Sequence, residues 1–364
     1  MLTFRPRMPS RPVLKATALA IAVGALCGVC AALAHLPIPY LLGALLGSAV
    51  LVGFAPGLFP DDYKFPQPFR FAFVGVIGAM IGAQVDPEFV HRIPQLGMTL
   101  TGVAVFVITA HALSYMLFRR MGGYDRATAF FCGSPGGLLE SITLGEAAGA
   151  DVRVLTLHHF LRIILVVAVL PLGMSLVYGR ALGSSAGEGF AHGAAELSSL
   201  PILLVLCAGG SVLGLLLRLP AAPLSGPMLL AGIGSGAGLI ELNPPNWVTQ
   251  VAQVVIGVSL GVRFIGVTRD LLWRVLKLSV VGVAMMLAIG AAIAEALHLL
   301  TGEPWDVLLI SLTPGGVIEM GLIALSLSVN PAFVTVHHLF RIVLTVLEIT
   351  TVGKYVIGRD AAQR

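Results

Sequence analysis

The second half of the chain repeats polar blocks of the first half at a constant interval, so the fold must contain one structural unit twice. One block has the copies Ser134-Pro135-Gly136-Gly137-x-x-Glu140 and Thr313-Pro314-Gly315-Gly316-x-x-Glu319. The other block has the copies His158-His159-x-x-Arg162 and His337-His338-x-x-Arg341. Equivalent residues lie 179 positions apart in both blocks. A site formed by these blocks is therefore predicted to be built twice or shared across a pseudo-twofold axis.

The composition predicts an integral membrane protein. Hydrophobic residues make up 57% of the 364 residues and charged residues only 11%, whereas soluble domains carry about 25% charged residues. Apolar stretches long enough to span a bilayer follow one another, and the longest polar connection, 179–196, has only 18 residues. No connection is long enough for a DNA-reading helix-turn-helix. We therefore expect the lipid bilayer as a partner and no direct contact with nucleic acid.

Hydrophobic runs between polar or Pro/Gly breaks predict six segments in each half. Those of the first half lie at about 13–34, 38–54, 69–84, 95–118, 126–149 and 152–178. Those of the second half lie at about 197–217, 222–240, 247–264, 276–299, 305–328 and 332–356. We therefore predict a first membrane repeat over residues 1–178, a linker over 179–196 and a second membrane repeat over 197–364. Small residues are predicted to let helices pack closely at Gly75, Gly78, Gly82, Gly257 and Gly261.

The positions of basic residues predict that the two repeats are inverted. Arg119, Arg120 and Arg126 follow the fourth segment of the first half, whereas the basic cluster 263–277 precedes the fourth segment of the second half. Because Lys and Arg favour the cytoplasmic side, these segments must cross in opposite directions. Five spans per half satisfy this requirement if the Pro-Gly-Gly segment is a re-entrant hairpin. A broken crossing helix, with another short segment failing to span, gives the same parity, and both termini are predicted to be cytoplasmic.

The predicted fold is thus an all-α polytopic membrane protein of two inverted repeats. Each repeat has about five transmembrane helices plus one re-entrant or broken Pro-Gly-Gly helix. Ser134 and Thr313 are predicted as helix N-caps, with Pro135 and Pro314 at the first helical position. The half-helix that follows would present free amide groups and the positive end of its dipole to an anionic group. The structural alternative is a packing kink between helices.

Glu140 and Glu319 fall in the first turns of these predicted half-helices. An ionisable side chain at membrane depth is costly and by default indicates a functional site with a nearby partner. The expected partners are Arg162 and Arg341, and an ion pair of this kind could also be purely structural. A carboxylate near a helix start is also favoured by the helix dipole, so a capping role is a further alternative.

The histidine pairs leave three interpretations open. His158 and His159, like His337 and His338, could contact a substrate or proton, form structural hydrogen bonds or ligate a metal. Metal ligation is the weakest interpretation, because adjacent helical side chains diverge and a closed metal site needs three or four convergent donors. We therefore predict no metal and no cofactor, apart from a coupling proton or cation.

The duplicated P-G-G-x-x-E and H-H-x-x-R blocks resemble the AbrB-type family of duplicated bacterial membrane proteins, over almost the whole chain. Members of that family carry the labels ammonia monooxygenase and transcriptional regulator, and are grouped remotely with cation–proton antiporters and anion transporters built from inverted repeats. The resemblance implies a transporter-like fold in the bacterial inner membrane.

Transport fits more of the sequence than the other functions that the resemblance suggests. We predict a secondary transporter for a small polar solute, with an anion preferred and a cation/proton exchanger left open. Glycine amides would hold the solute, Arg162 and Arg341 would balance its charge, and a glutamate or a histidine would carry the coupling proton. The alternatives are a membrane metalloenzyme and a membrane sensor that affects gene expression indirectly. Oligomeric state is left open, a homo-oligomer included.

Overall fold

The computed structural model describes residues 9–85, 93–179, 196–327 and 329–358. All regular secondary structure within these ranges is helical, which confirms the predicted all-α class. Residues 180–195 of the predicted linker and both chain termini lie outside the described residues.

The helices follow the predicted order of segments, with each Pro-Gly-Gly segment divided into two short helices. The first half contains α1 (Arg11–Leu33), α2 (Pro39–Phe54), α3 (Gln67–Ala83), α4 (Ile93–Arg120), α5 (Arg126–Gly133), α6 (Leu138–Ala147) and α7 (Val152–Tyr178). The second half contains α8 (Ser199–Leu216), α9 (Ala222–Gly236), α10 (Asn246–Gly261), α11 (Arg269–Thr301), α12 (Trp305–Leu312), α13 (Val317–Ser326), α14 (Pro331–Thr351) and α15 (Gly353–Ile357).

Seven helices in the described ranges are long and apolar enough to cross a membrane: α1, α4, α7, α8, α10, α11 and α14. The other three predicted spans, α2, α3 and α9, have 16, 17 and 15 residues. At 1.5 Å per residue they fall short of the roughly 30 Å hydrocarbon core. The helical membrane character of the chain is therefore supported, while the crossing of these three helices and the inversion of the repeats stay predictions.

The chain forms two compact units, and each takes matching helices from both repeats. Unit 1 contains α1–α3, the end of α7 from Pro171, and α8–α10. Unit 2 contains α4–α6, the rest of α7, α11, α12, most of α13, α14 and α15. Every residue of the two repeated polar blocks lies in unit 2.

Within unit 1, the third helix of each repeat packs on the second helix of the other repeat. A Cβ atom on Gly78 of α3 would overlap the Leu224 carbonyl of α9. A Cβ atom on Gly257 of α10 would likewise overlap the Leu41 carbonyl of α2. The predicted close packing through these glycines is confirmed, and reciprocal contacts of this kind are what a twofold relation produces.

The second helix of each repeat starts from the same strained turn. Ile38 and Ala221, one residue before α2 and α9, have left-handed backbones with φ of 47° and 49°. A side chain with a Cβ in this region costs roughly 1–2 kcal/mol. The packing of the helix that follows must hold each turn in place, and Ile38 is fully buried.

Candidate functional site

Each Pro-Gly-Gly block lies in a break between two short helices, α5 and α6 in the first copy and α12 and α13 in the second. The residue before each proline has an extended backbone, with φ and ψ of −62° and 128° at Ser134 and −69° and 137° at Thr313. Proline favours this conformation because its ring clashes with a helical residue before it. The predicted broken helix is therefore confirmed in both copies.

The predicted role of Ser134 and Thr313 as helix N-caps is wrong. Each is the C-cap of the helix before the break. The Ser134 hydroxyl is 2.7 Å from the Ser141 hydroxyl, and the Thr313 hydroxyl donates back to the Leu309 carbonyl at 2.7 Å. In the first copy α6 begins only after Gly137, whose left-handed φ of 58° suits glycine. The two glycines lengthen the break. Helix α6 therefore starts at Leu138, three residues after Pro135, which was predicted to be its first residue.

The first copy of the segment is a hairpin. The Phe131 side chain of α5 is 3.2 Å from the position that a Cβ on Gly145 of α6 would take. The Asp151 amide, after α6, donates to the Thr128 hydroxyl near the start of α5 at 2.8 Å. Two helices in line would hold these residues far apart, since each residue adds 1.5 Å. The chain therefore returns to the level at which α5 began.

The second histidine of each pair binds a carbonyl at the end of the broken helix. His159 Nε2 is 3.0 Å from the Phe131 carbonyl, and His338 Nε2 is 3.0 Å from the Ile310 carbonyl. These acceptors are themselves equivalent in the duplication. The last four carbonyls of any helix lack a partner within the helix. Both histidines therefore donate to carbonyls that the break leaves without a helical partner.

The arginines bind the next free carbonyls along the same breaks. Arg162 donates from Nη1 to the Ser134 carbonyl. Arg341 donates from Nη1 to the Thr313 carbonyl and from Nη2 to the Gly315 carbonyl. Both side chains are buried, with 6% and 1% of their surface exposed, and within the described residues the Nε atom of each has no hydrogen-bond partner.

The first histidine of each pair reaches a helix of the other repeat. His158 Nδ1 is 2.8 Å from the Ser279 hydroxyl of α11, and His337 Nε2 is 2.8 Å from the Thr99 hydroxyl of α4. His158 Nε2 is also 3.0 Å from the Tyr124 hydroxyl. Burial raises the pKa of Tyr124 to about 12, so this hydroxyl is protonated at neutral pH and able to donate to the imidazole.

The two glutamates, equivalent in sequence, occupy different environments. Glu140 is exposed, whereas Glu319 is buried and its carboxylate lies against Gly316. The predicted pairing of Glu140 with Arg162 is wrong for the described residues, because the guanidinium binds the Ser134 carbonyl instead. A carboxylate at the protein surface also avoids the desolvation cost of a buried ion pair.

The break of the first copy lies against the helix that carries the second histidine block. A Cβ on Gly136 would be 3.0 Å from the Thr345 hydroxyl of α14 and 3.6 Å from the Arg341 carbonyl. A Cβ on Gly137 would be 3.2 Å from the Val346 side chain. The break of the first copy therefore lies beside the helix that carries Arg341, within unit 2.

Sequence reasoning missed the hydroxyl groups that complete this region. Ser141, Ser279, Thr99 and Tyr124 hydrogen-bond to the repeated blocks, and the buried Thr345 hydroxyl has no partner among the described residues. Isolated Ser and Thr residues in apolar helices give no signal in the sequence, because only the fold places them beside the blocks. A small cavity of about 10 Å³, enough for one water, lies beside them and is lined by Phe118, Cys132, His158, Arg162, Ser279, Gly282, Val283 and Met286.

The described residues contain no group of three or more His, Cys, Asp and Glu side chains arranged to hold a metal ion. Six of the eight ring nitrogens of the repeated histidines have separate partners, and His159 Nδ1 and His338 Nδ1 have no hydrogen-bond partner among the described residues. His337, for example, has its Nδ1 atom 2.7 Å from the Phe333 carbonyl of its own helix.

Comparison with known proteins places the chain in a family. Residues 49–356 match the AbrB family, described as "Transition state regulatory protein AbrB". This chain belongs to the AbrB family. The match covers most of the sequence and includes both copies of the polar blocks.

Two relatives of the AbrB-family chain show how far the similarity extends. "Uncharacterized protein YhjN" of Bacillus subtilis (strain 168) is 24% identical over 347 residues, which cover 90% of this chain and 89% of the relative. "Putative regulator AbrB" of Escherichia coli (strain K12) is 23% identical over 321 residues, which cover 85% of this chain and 88% of the relative.

Proposed function

We propose that this AbrB-family protein is a secondary transporter, and that it binds a small anionic solute at the helix breaks of unit 2. One observation supports the proposal most strongly. Two buried arginines, one from each repeat, lie at the breaks, and each keeps a buried Nε donor without a partner among the described residues. An anion near them would supply both a negative charge and hydrogen-bond acceptors.

The electrostatics of the breaks favour an anion over a cation. Burying a charge costs several kcal/mol, and among the described residues of the two blocks the buried charges are two arginines and one glutamate, Glu319. The hydrogen bonds of Arg162 and Arg341 go to neutral carbonyl groups. The start of α6 adds backbone N–H groups that have no acceptor within the helix, together with the positive end of the helix dipole. Amide and guanidinium donors together are the groups that bind carboxylates and phosphates.

The remaining features of the proposal concern coupling and topology. We infer coupling to a proton or cation, with Glu140, Glu319 and the histidines as carriers suggested by the repeated blocks. We also infer a bacterial inner-membrane location, inverted repeats over 1–178 and 197–364 joined by the linker 179–196, and cytoplasmic termini. The name of the Escherichia coli relative, "Putative regulator AbrB", would be consistent with transport if the transported solute itself influenced gene expression.

Ligand binding to purified protein tests the anion site directly. A compound that binds the folded state raises the melting temperature, so the screen should include carboxylates, phosphate, amino acids, ammonium and divalent metals. We expect anions to raise it, and we expect Arg162→Gln and Arg341→Gln to weaken binding at least tenfold. Arg153→Gln is the matched control, because Arg153 is an exposed arginine on the same helix as Arg162.

Uptake by proteoliposomes then separates transport from other functions. We expect the anion that binds to be taken up, and Arg162→Gln to lose uptake while still eluting as a folded protein. Arginine variants that bind as tightly as the control, or a solute screen in which only cations bind, would overturn the anion site. Stoichiometric copper or iron that is lost in His158→Ala and His337→Ala would favour a metalloenzyme instead.

A further inference from the structure

Unit 2 contains a cavity whose wall includes no residue of the two repeated blocks. It has a volume of about 550 Å³ and is lined by residues of α4, α5, α14 and α15. Most of the wall is aliphatic, and it includes Val107 and Ile108 of α4 and Leu344 and Leu347 of α14. Sites for small molecules have volumes of roughly 300–1,000 Å³ and are lined mainly by apolar side chains. The cavity therefore has the size and the wall of a site for a small organic molecule.

The wall contains few polar side chains, and one of them is a carboxylate. Glu348 of α14 lines the cavity, and its side chain is 18% exposed. Its Oε2 atom is buried without a hydrogen-bond partner among the described residues. The lining contains no Lys or Arg side chain. The negative charge of Glu348 is therefore not balanced by a Lys or Arg of the cavity.

His111 lies beside this carboxylate but does not form a hydrogen bond with it. A carbonyl oxygen only accepts hydrogen bonds, so His111 donates from Nε2 to the Phe130 carbonyl at 2.8 Å. His111 Nδ1 is 3.0 Å from Glu348 Oε1, yet it makes no hydrogen bond among the described residues. The side chain is 1% exposed. Oε2 of Glu348 and, in the neutral ring, Nδ1 of His111 can each accept a hydrogen bond from an N–H donor of a ligand.

Aromatic rings complete the polar part of the wall. Tyr115 and Phe130 both line the cavity, and their ring centroids are 6.3 Å apart. The His111 ring packs on Phe130 with 4.5 Å between centroids. A cation within about 6 Å of an aromatic centroid is attracted by the negative face of the ring. A wall with a carboxylate and aromatic rings is therefore complementary to an organic cation, and it disfavours an anion.

The cavity borders the exposed side of its helices. Ile108 of α4 and Leu347 of α14 line it, and 62% and 58% of these side chains are exposed. Both helices are long and apolar enough to cross a membrane. Exposed apolar side chains of membrane-crossing helices contact lipid, which also dissolves the apolar part of an amphipathic molecule. Such a molecule therefore need not cross the packed interior of unit 2 to reach the cavity.

Two further observations concern the carboxylate. The position equivalent to Glu348 in the first repeat is Val169, so the repeated fold does not depend on a carboxylate at this place. A metal ion such as calcium needs about six or more oxygen ligands, whereas the lining side chains that carry oxygen are Tyr115, Glu348 and Thr351. An organic cation with an apolar body matches both the charge and the mainly apolar wall better than a metal ion.

We propose that this cavity binds a small amphipathic organic cation, with its ammonium group at Glu348 and His111 and its apolar body against the aliphatic side chains of α4 and α14. The ammonium N–H groups donate to the carboxylate, and the positive charge also interacts with the faces of Tyr115 and Phe130. The residues of this site differ from those of the proposed anion site at the helix breaks. The inference therefore does not rest on the proposed transport function.

Three ligands that share one apolar body and differ in charge test the proposal. 1-Adamantylamine carries an ammonium group at neutral pH, 1-adamantanol is neutral, and 1-adamantanecarboxylate is an anion. Binding of radiolabelled 1-adamantylamine to the protein in lipid nanodiscs, corrected for empty nanodiscs, gives its Kd, and competition gives those of the other two. We expect the ammonium to bind at least tenfold more tightly than the alcohol, and the carboxylate to bind most weakly. No binding of the ammonium, or equal affinity for the alcohol, would overturn the proposal.

Variants of the wall locate the bound cation. Glu348→Gln keeps the shape of the side chain and removes its charge, so we expect the advantage of the ammonium over the alcohol to fall to about threefold or less. Glu146→Gln, at an exposed glutamate of α6, should keep the full advantage. Ala104→Phe, at an alanine of the cavity wall, should weaken the ammonium and the alcohol at least tenfold, because the larger side chain fills the cavity.

Melting temperatures show whether each variant is folded. If Glu348→Gln does not fold, the ligand series on the wild type and on Ala104→Phe still tests the site. Ammonium binding that is unchanged in the folded wall variants would place the cation elsewhere and overturn the inference. Tighter binding of the carboxylate than of the ammonium would also overturn it, and would identify the cavity as a site for acidic lipophilic molecules.

Discussion

His159 and His338 have the same structural role in the two repeats. Each helix break leaves carbonyl groups without partners, and each histidine supplies one donor at 3.0 Å. Arg162 and Arg341 supply the next donors along the two breaks. The H-H-x-x-R spacing places the second histidine and the arginine three residues apart, on one face of the helix. The block therefore supplies hydrogen-bond donors to the carbonyls of the neighbouring helix that ends at the break.

Removing one of these donors should destabilise either repeat by a similar amount. We expect His159→Phe and His338→Phe each to lower the free energy of unfolding by about 0.5–1.5 kcal/mol, since a buried carbonyl loses its imidazole donor. The Phe131 carbonyl keeps the Ser134 hydroxyl as a donor, and the Ile310 carbonyl keeps the Thr313 amide. His159→Gln should cost less, because its amide keeps an N–H donor. Thermal or chemical unfolding in detergent measures both effects. Equal stability of the phenylalanine and glutamine variants would show that the carbonyl contact contributes nothing.

Gly137 is the residue at which the backbone of the first break turns. Its φ of 58° begins α6 without a side-chain cap, and a residue with a Cβ is disfavoured there by roughly 1 kcal/mol or more. We expect Gly137→Ala to lower the melting temperature, with Gly173→Ala as the control, because Gly173 has open space around it inside α7. Unfolding curves of the two variants provide the comparison. An alanine at 137 that leaves stability unchanged would contradict the strained geometry.

At the scale of elements, the third helix of each repeat depends on the absence of a side chain. Gly78 and Gly257 let α3 approach α9, and α10 approach α2, until backbone meets backbone. These contacts explain why small residues recur at the same positions in both halves. A backbone carbonyl cannot move aside as the tip of a flexible side chain can, so the interface tolerates little added volume.

Substitution of these glycines should therefore have reciprocal effects. We expect Gly78→Ala and Gly257→Ala each to destabilise unit 1 by about 1–3 kcal/mol through overpacking. Gly53→Ala is the control, because Gly53 lies in α2 with open space around it, where alanine improves helix propensity by roughly 1 kcal/mol. Melting temperatures in detergent report all three changes. If Gly78→Ala matches the control, the two helices do not pack as tightly as described.

At the scale of the whole molecule, the two repeats are interleaved. The first three segments of both repeats, with the end of α7, form unit 1, and nearly all of the last three segments of both repeats form unit 2. Neither repeat is thus a compact body by itself. This arrangement gathers both copies of the polar blocks in one unit.

The inverted topology makes a prediction about the two loops beside the Pro-Gly-Gly segments. Single cysteines at Asp151 and Asn330, in a chain whose Cys27, Cys30, Cys132 and Cys207 are replaced, should be labelled from opposite sides of the membrane. The physical reason is the reversed placement of basic residues in the two halves. Labelling with a membrane-impermeant maleimide in intact and in permeabilised cells measures this. Labelling of both cysteines from the same side would disprove the inversion.

Repetition and hydropathy made several features predictable before any coordinates. The helix breaks follow from Ser134-Pro135 and Thr313-Pro314 because the effect of proline on the preceding residue is local. Close packing at Gly78 and Gly257 follows from small residues at matched positions. The helical class follows from apolar runs of spanning length. Each of these features depends on short-range chemistry that the sequence states directly.

The hydrogen-bond and ion-pair partners of these side chains could not be predicted from the sequence, because they depend on distances between residues far apart in the chain. The sequence by itself determined that two copies of a broken helix and of a histidine–arginine block exist. Only the tertiary structure decided that Arg162 binds a carbonyl rather than Glu140, and that Glu140 is exposed while Glu319 is buried. It alone brought His111 to Glu348. Equivalent sequences received unequal surroundings because buried polar groups bind the donors and acceptors that the folded packing places within reach.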